Sequence, residues 1–285
     1  MKMTVGIAAY KEPRITKCLK AVLNEGLKNL EVIVACPDDE TASLVKKFKT
    51  VKLIKEKRKQ GKPAAVNKIL KKASSDIIIL TDADMIIRKG SLKRLVSHFK
   101  NESVGIVNGR PVVTNKRDSM LGFWGCLLYD LAHKRRLAGI AHVTTNLCAF
   151  RRGLVKRIPE ESLVDDYVIG LECLRKGYKF VYEPRAVVSV TFPNNTSDFL
   201  KQRVRTFAGY MQIRDWYGES ERSFSSEVRK GVKSVFSYPK NLKEWSWLAL
   251  LFIYRLRAWI SAYYLYRIKK KKLSEIWTPA ESTKI

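Results

Sequence analysis

From Met3 to Phe99 the chain alternates between two apolar patterns, and this alternation limits its fold more than any other feature. Met3–Ala9, Glu31–Ala35, Val51–Ile54 and Ile77–Leu80 are short apolar runs of strand type. Between them, Ile15–Leu23, Thr41–Phe48 and Pro63–Lys72 have helical spacing, the last with Pro in its first turn. Ser91–Phe99 follows as a helix with Ser91 as the expected N-cap. Such a β-α-β-α order predicts a mainly parallel sheet flanked by helices, an α/β class with a Rossmann-like arrangement.

The run Ile77–Leu80 leads almost at once into Asp82-Ala83-Asp84. Open α/β sheets bind ligands in the crevice outside the carboxyl ends of their strands. Two carboxylates one residue apart at such an end can hold a hard divalent cation and reach the sugar of a nucleotide. Mg²⁺ and Mn²⁺ favour oxygen ligands and keep phosphate oxygens and water in their other positions. The triplet alone is common in acidic loops, so its neighbours must decide its meaning.

Charge narrows the partners. In 285 residues, 55 Lys and Arg outnumber 27 Asp and Glu, for a net charge of +28. This balance points to a polyanion: nucleic acid, an anionic membrane surface or a phosphorylated ligand. The five cysteines, Cys18, Cys36, Cys126, Cys148 and Cys173, are scattered without a CxxC spacing. They read as reduced core residues of a cytosolic protein, and a structural zinc site is not expected. His98, His133 and His142 are equally scattered and suggest no His-based catalysis or metal site. Met1-Lys2 runs straight into a strand-like segment, so no signal peptide is expected.

Beyond residue 100 the pattern loosens. Val104–Val107 and Pro111–Val113 resemble a strand pair, and Asp118–Leu137 an apolar, aromatic-rich helix. Thr145–Phe150 is strand-like, and Leu163–Arg175 is a loop entering a helix behind two carboxylates. Lys179–Tyr182 and Ala186–Val190 are short strands, and Ser197–Gln212 is a basic helix. A polar stretch around Gly218–Ser226 separates this part from Trp245–Tyr266, which has the length of a membrane span. Arg255 and Arg257 in its middle are expensive in a bilayer core, so a helix lying in the interface is expected. The polybasic run Arg267–Lys272 adds attraction to anionic lipid, about 1 kcal/mol per cation. The expected division is a catalytic domain over residues 1–212 and a basic amphipathic, membrane-interface extension over 213–285.

Several segments fall into order around the aspartates: Ala8-Ala9-Tyr10-Lys11-Glu12-Pro13, Gly61-Lys62-Pro63-Ala64-Ala65-Val66-Asn67, Asn146–Arg152, Val164-Asp165-Asp166-Tyr167, Gly177–Pro184 and Gln202-Arg203-Val204-Arg205. In this order and spacing the chain resembles the family 2 glycosyltransferases of GT-A fold over about residues 3–210. Within them it looks nearest the membrane-associated branch that includes cellulose and hyaluronan synthases. The resemblance implies an inverting transfer from a nucleoside-diphosphate sugar to an acceptor. It favours UDP over GDP, with Mg²⁺ or Mn²⁺ as cofactor.

The same resemblance implies roles. Asp82 would contact the nucleotide, Asp84 would hold the metal, and Ala83 lies between them. Ala9, Tyr10, Glu12 and Asp39 would lie near the nucleobase and ribose. Asp38 is an equal alternative to Asp39, since either could cap the helix from Thr41. Lys62 would meet the diphosphate, where a cation and free backbone N–H groups at a helix start suit it. Asp166 would be the base and Asp165 its partner, with Asp where the family usually has Glu. Gln202, Arg203 and Arg205 match a Q-x-x-R-W motif over the acceptor and diphosphate, but Thr206 replaces its Trp. Loss of that stacking platform, with a single long apolar segment, favours one transfer to a lipid-linked or glycan acceptor over processive synthesis. The expected setting is the cytoplasmic face of the membrane, peripheral or monotopic.

Two other classes remain open. A sugar nucleotidyltransferase shares nucleotide, metal and phosphate-binding lysines, but the Asp165-Asp166 pair and the Gln202–Arg205 segment argue against it. A nucleic-acid-binding protein would need a basic face interleaved with aromatics. The lysines are instead spread along the whole chain, so no nucleic-acid partner is expected.

Overall fold

The computed structural model describes residues 1–218, 234–271, 273–276 and 281–283. Of the polar stretch at Gly218–Ser226 only Gly218, and of the polybasic run all but Lys272, fall within them. The chain begins β1 (Met3–Ala8), α1 (Ile15–Leu23), β2 (Leu30–Cys36), α2 (Asp39–Lys46), β3 (Val51–Lys55), α3 (Lys62–Lys72) and β4 (Ile77–Asp82). It continues with β5 (Ile86–Ile87), α4 (Ser91–Ser97), β6 (Val104–Val113), α5 (Met120–Leu137) and β7 (Cys148–Arg151). Then follow α6 (Asp165–Arg175), β8 (Lys179–Val190), α7 (Thr196–Tyr217) and α8 (Leu242–Tyr263).

The sheet order is β3-β2-β1-β4-β7-β6-β8-β5. β3, β2, β1 and β4 are mutually parallel, while β7 runs antiparallel to both β4 and β6. The sheet is therefore mixed, with its first half the parallel unit expected from the alternation. The chain winds outward from β1 through β2 to β3, then crosses back to lay β4 on the other side of β1. This reversal is the topological switch point at which a crevice opens. In register, Ala8 lies beside Asp82, so the loop after β1 and the Asp82–Asp84 triplet leave the sheet together.

Alternation along β4 explains its uninterrupted apolar run. Ile77 and Ile79 face the layer formed by α1, α2 and α4, while Ile78 and Leu80 face α3 and α6. Gly6 lets α3 close onto β1: a Cβ there would stand 2.6 Å from Ile69 Cγ2. Ser91 does not cap α4. Its hydroxyl is held between the carbonyl and N–H of Val187, at 3.0 and 2.9 Å, which ties α4 to β8. The four cysteines Cys18, Cys36, Cys148 and Cys173 are buried, Cys126 is partly so, and all five are free thiols.

The expected strand pairs at 104–113 and 179–190 are single long strands, β6 and β8, paired in parallel. Gly109 and Pro184 read as breaks, but they mark a shared bulge where Asn108 faces Tyr182 and Arg110 faces Val187. Buried Glu183 occupies the bulge, accepting from the backbone N–H and Nε of Arg185 at 3.0 and 3.1 Å and lying 2.9 Å from His98 Nε2. Burial alone would raise its pKa, but Arg185 and His98 hold it down to about 2. Its folded pKa lies below the ordinary value, so its stabilisation is present above about pH 4.5 and lost as pH falls toward 2. Glu183→Gln is expected to cost about 1–3 kcal/mol at neutral pH. Urea unfolding should show that gap closing in acid; a constant gap would exclude the ionised carboxylate as its source.

The C-terminal segment packs onto the sheet domain. Phe207 stacks on Trp259 at 4.2 Å between α7 and α8, and Trp124 of α5 donates its indole N–H to the Trp247 carbonyl at 2.7 Å. Arg117 grips Glu244 with two bonds of 2.8 and 2.7 Å at the start of α8. The outward face of α8 is apolar, not basic: Phe252, Ile253, Leu256 and Ile260 are exposed. Arg257 stands among them, whereas Arg255 turns inward with its guanidinium 5.3 Å from the Phe207 ring. Among the described residues, Leu242–Ile268 is the one helix long and apolar enough to cross a membrane.

Candidate active site

The loop after β1, the end of β4, the start of α3, the start of α6 and the middle of α7 surround one cavity of about 1650 Å³. Ala9, Tyr10, Glu12, Lys62, Asp82, Ala83, Asp84, Asp165, Asp166, Gln202, Arg203 and Arg205 all line it. Its volume exceeds that of an ordinary small-ligand pocket and leaves room for two substrates.

Lys62 is the hinge of the charge arrangement. The positive φ of Gly61, 96°, turns the chain into α3 and aims the next side chain across the crevice. Its ammonium lies 2.6 Å from Asp82 Oδ1, 3.6 Å from Asp165 Oδ2, and donates to Thr145 Oγ1 at 2.7 Å. Burial alone would lower its pKa, but the Asp165 and Asp82 carboxylates more than offset this and raise it. Asn146 donates to the other Asp82 oxygen at 3.3 Å, and its own carbonyl accepts from Thr81 at 2.7 Å. One cation thus ties the end of β4 to the start of α6.

The acids at α6 are not spent on capping. The N-cap position is Val164, and Asp165 and Asp166 occupy the first turn, where the helix dipole favours negative charge. Asp166 Oδ1 accepts from the Tyr167 N–H at 2.9 Å. Among the described residues Asp165 Oδ2 is buried without a hydrogen bond, as is Arg205 Nε. Burial first, then the neighbouring Asp165 charge, push the Asp166 carboxyl up to about 6. A carboxylate near neutrality, inside a cleft and beside cations, has the properties of a general base.

Asp84 is raised further, to about 7, by burial first and then by the charges of Asp82 and Glu12. Crowded carboxylates of this kind fit a cation. Among the described residues no three His, Cys, Asp or Glu side chains group closely enough to hold one alone. Mg²⁺ is commonly held by one or two carboxylates plus substrate phosphate oxygens and water, so the donor set at Asp84 suits a metal that arrives with a diphosphate.

Asp39 is not brought to the cavity. Its side chain is 95% exposed and pairs with Lys55 at 2.8 Å. Asp38 is the cap of α2, accepting from the N–H groups of Thr41 at 2.8 Å and Lys11 at 3.0 Å. It braces the loop that carries Tyr10 and Glu12. Within that loop Glu12 is buried and accepts from the Arg14 N–H at 3.0 Å, while Lys59 stands 4.3 Å from the Tyr10 ring centroid. Thr206 bonds back to the Gln202 carbonyl at 2.8 Å within α7.

The cavity also takes in residues that the sequence did not assign to the site. Thr145 carries no motif signal, and Arg255 and Trp259 belong to α8, far along the chain. Arg14, whose guanidinium donates to Thr191 Oγ1 at 2.8 Å and the Thr283 carbonyl at 3.0 Å, brings the C-terminal residues to its rim.

Lys62→Met would leave Asp82 and Asp165 without their cation. It is expected to lower the unfolding free energy by about 2 kcal/mol near pH 7, below the full cost of breaking a buried pair because the lysine is partly exposed. Urea titrations of the variant beside the wild type measure it; an unchanged unfolding free energy would deny the two ion pairs a part in stability.

Residues 2–209 match the model of the family described as "Glycosyltransferase like family 2", and the chain belongs to that family. It is 26% identical over 233 residues to the poly-β-1,6-N-acetyl-D-glucosamine synthase of Staphylococcus aureus, covering 75% of this chain and 56% of that protein. The Staphylococcus epidermidis protein of the same name is 25% identical over 223 residues, covering 73% and 54%. The chain thus spans little more than half the length of these curated relatives. Among solved structures, a mannosyltransferase from Pyrobaculum calidifontis in complex with GDP-Man and Mn²⁺ superposes with a TM-score of 0.67 at 21% identity, covering 95% of this chain and 88% of that one. S. aureus TarS 1–349 superposes at 0.54 with 18% identity, covering 92% and 81%. The fold is that of the GT-A glycosyltransferases.

Proposed function

We propose that this chain is an inverting, metal-dependent glycosyltransferase that moves a sugar from a nucleoside-diphosphate donor to a lipid-linked or glycan acceptor at a membrane face. The observation that carries this reading is the convergence of the expected residues, Asp39 apart, on one cavity in which Lys62 bridges Asp82 and Asp165. Tyr10 and Glu12 suit the nucleoside end, Lys62 and Arg205 the diphosphate, and Asp166 the acceptor. A divalent cation at Asp84 would neutralise charge on the departing diphosphate.

The acceptor oxygen attacks the anomeric carbon from the side opposite the leaving group. The new glycosidic C–O bond forms as the bond to the diphosphate oxygen breaks, and Asp166 takes the hydroxyl proton. UDP is favoured as the nucleotide by the family resemblance. The neighbour solved with GDP-Man and Mn²⁺ lends support to a divalent metal and makes GDP the alternative. Residues 1–212 would carry the chemistry, and residues 213–285 the membrane interface. The exposed apolar face of α8, continued by Arg267 and Lys269–Lys271, suits an anionic bilayer surface on the cytoplasmic side.

Release of nucleoside diphosphate from a panel of UDP- and GDP-sugars, with Mn²⁺ or Mg²⁺ and membrane lipid as acceptor, tests the chemistry. Metal-dependent release from one donor is expected, while release of pyrophosphate would mark a nucleotidyltransferase instead. Flotation with anionic vesicles tests the setting; protein that stays wholly at the bottom of the gradient would rule out the membrane surface.

A further inference from the structure

Asn108 stands in the middle of β6, where asparagine is disfavoured, and its side chain is fully buried. An amide taken out of water is costly unless it is bonded, so its partners tell what holds it there. Nδ2 donates to the carbonyls of Thr144 and Leu147, both at 3.0 Å, and Oδ1 accepts from the Thr144 N–H at 2.9 Å. Two carbonyls on one side and an N–H on the other fix the orientation of the amide.

Asn108 pairs across β6 and β7 with Cys148, so it lies beside the turn that leads into β7. The Gly109 N–H adds a bond to the Leu147 carbonyl at 2.9 Å. A Cβ on Gly109 would stand 2.7 Å from Leu147 Cδ2, so strand and turn are pressed together. The turn is clamped at both of its ends.

The two residues between those ends face the charged centre. Thr145 Oγ1 accepts from the Lys62 ammonium at 2.7 Å, and Asn146 donates to Asp82 Oδ2 at 3.3 Å. Lys62 and Asp82 are themselves 2.6 Å apart. Each partner of the ion pair therefore rests on one residue of the clamped turn. Attraction to a carboxylate has little direction, and Lys62 is drawn to Asp165 as well, at 3.6 Å. The directional bond to Thr145 is what fixes the ammonium on the Asp82 side.

We infer that Asn108 is a positioning residue: through the turn at 144–147 it sets where Lys62 and Asp82 stand. On the glycosyl-transfer reading above, on which this rests, that pair meets the donor's nucleoside diphosphate. Asn108 itself is not on the cavity wall. It acts on the site as outer partners act on the ligands of a metal, by holding the groups that make contact.

Calorimetric titration of the full chain with UDP and with GDP, each with Mn²⁺, tests it. Asn108→Ala should weaken binding of the nucleotide that the wild type takes by about 10- to 100-fold, the usual effect of losing such a partner. Unchanged binding would overturn the inference. Asn108→Leu fills the space without the bonds and should lose as much; recovery would reduce Asn108 to packing. Ile106→Val thins the same strand two positions earlier and should bind as the wild type does. An equal loss there would mean a general loosening of β6, and would overturn the inference too. In a Thr145→Val, Asn146→Ala background, adding Asn108→Ala should cost less than about a further twofold. A full second loss would deny the link through the turn.

Urea midpoints read the same link without nucleotide. The shift of the Asn108→Ala, Lys62→Met double variant should be smaller than the two single shifts together, and additive shifts would overturn the inference. A wild type that binds neither nucleotide would sink the glycosyl-transfer reading. Non-additive midpoints would then still leave Asn108 as the residue that positions the pair.

Discussion

Replacing Asp166 by Asn is expected to slow sugar transfer by about 10²- to 10⁴-fold, the usual contribution of a positioned general base, while donor binding changes little. On the proposed reading this carboxylate must be free of its proton to accept one. Its pKa is pushed up to about 6 by burial first and by Asp165 second, with Lys62 pulling the other way. The wild-type rate should therefore climb as pH rises to about 6 and level off above it. The Asn variant's residual rate should be flat across the same range. A profile of kcat/KM from about pH 5 to pH 8, which reports the groups of the free enzyme, measures both. An inflection near 6 that survives in Asp166→Asn would assign the proton transfer to another group.

The parts of this site that could be read from the sequence are those whose position is fixed by local pattern. Ile77–Leu80 is apolar on both faces because helices cover both, so the strand, and with it the place of Asp82 and Asp84, is legible in a few residues. Asp165 and Asp166 are legible for a similar reason, since a helix start sets them in its first turn. What local pattern cannot give is direction. Asp38 and Asp39 are equal as caps on paper, and only the packing of α2 decides that Asp38 braces the first loop while Asp39 faces water. Arg255 shows the same limit more sharply. In sequence it is a charge in an apolar helix and reads as a cost in lipid. Its inward turn depends on α7 and α8 packing through Phe207 and Trp259, a contact across about fifty positions of chain. The long strands β6 and β8 were hidden because a bulge that carries Glu183 looks, residue by residue, like two loop ends.

Asp84→Asn is expected to abolish most metal-dependent turnover and, at the same time, to make the metal-free protein more stable in mild alkali. The first effect follows from the proposed role of Asp84 as the carboxylate that would hold the metal: the charge stabilisation a metal gives a departing diphosphate is worth several kcal/mol, on the order of a thousandfold in rate. The second follows from the raised pKa. Burial, then Asp82 and Glu12, lift the Asp84 carboxyl from 3.8 to about 7. The folded chain thus binds a proton more readily than the unfolded one between those values, and stability falls as pH rises through that window. Above about pH 7 the ionised group opposes folding, and a neutral amide removes the opposition. Thermal melts at about pH 8 should therefore rank the variant above the wild type without metal. With Mn²⁺ and UDP or GDP present the order should reverse, because ligand binding to the folded state raises only the wild type by mass action. A variant that melts lower in both conditions would make Asp84 a structural residue. Equal stabilisation of both proteins by Mn²⁺ and nucleotide would move the ion to other ligands. A side chain whose removal relieves the fold yet ends the reaction is held in place by function, and the reversal of the two melting curves is the signature that separates it from a packing residue.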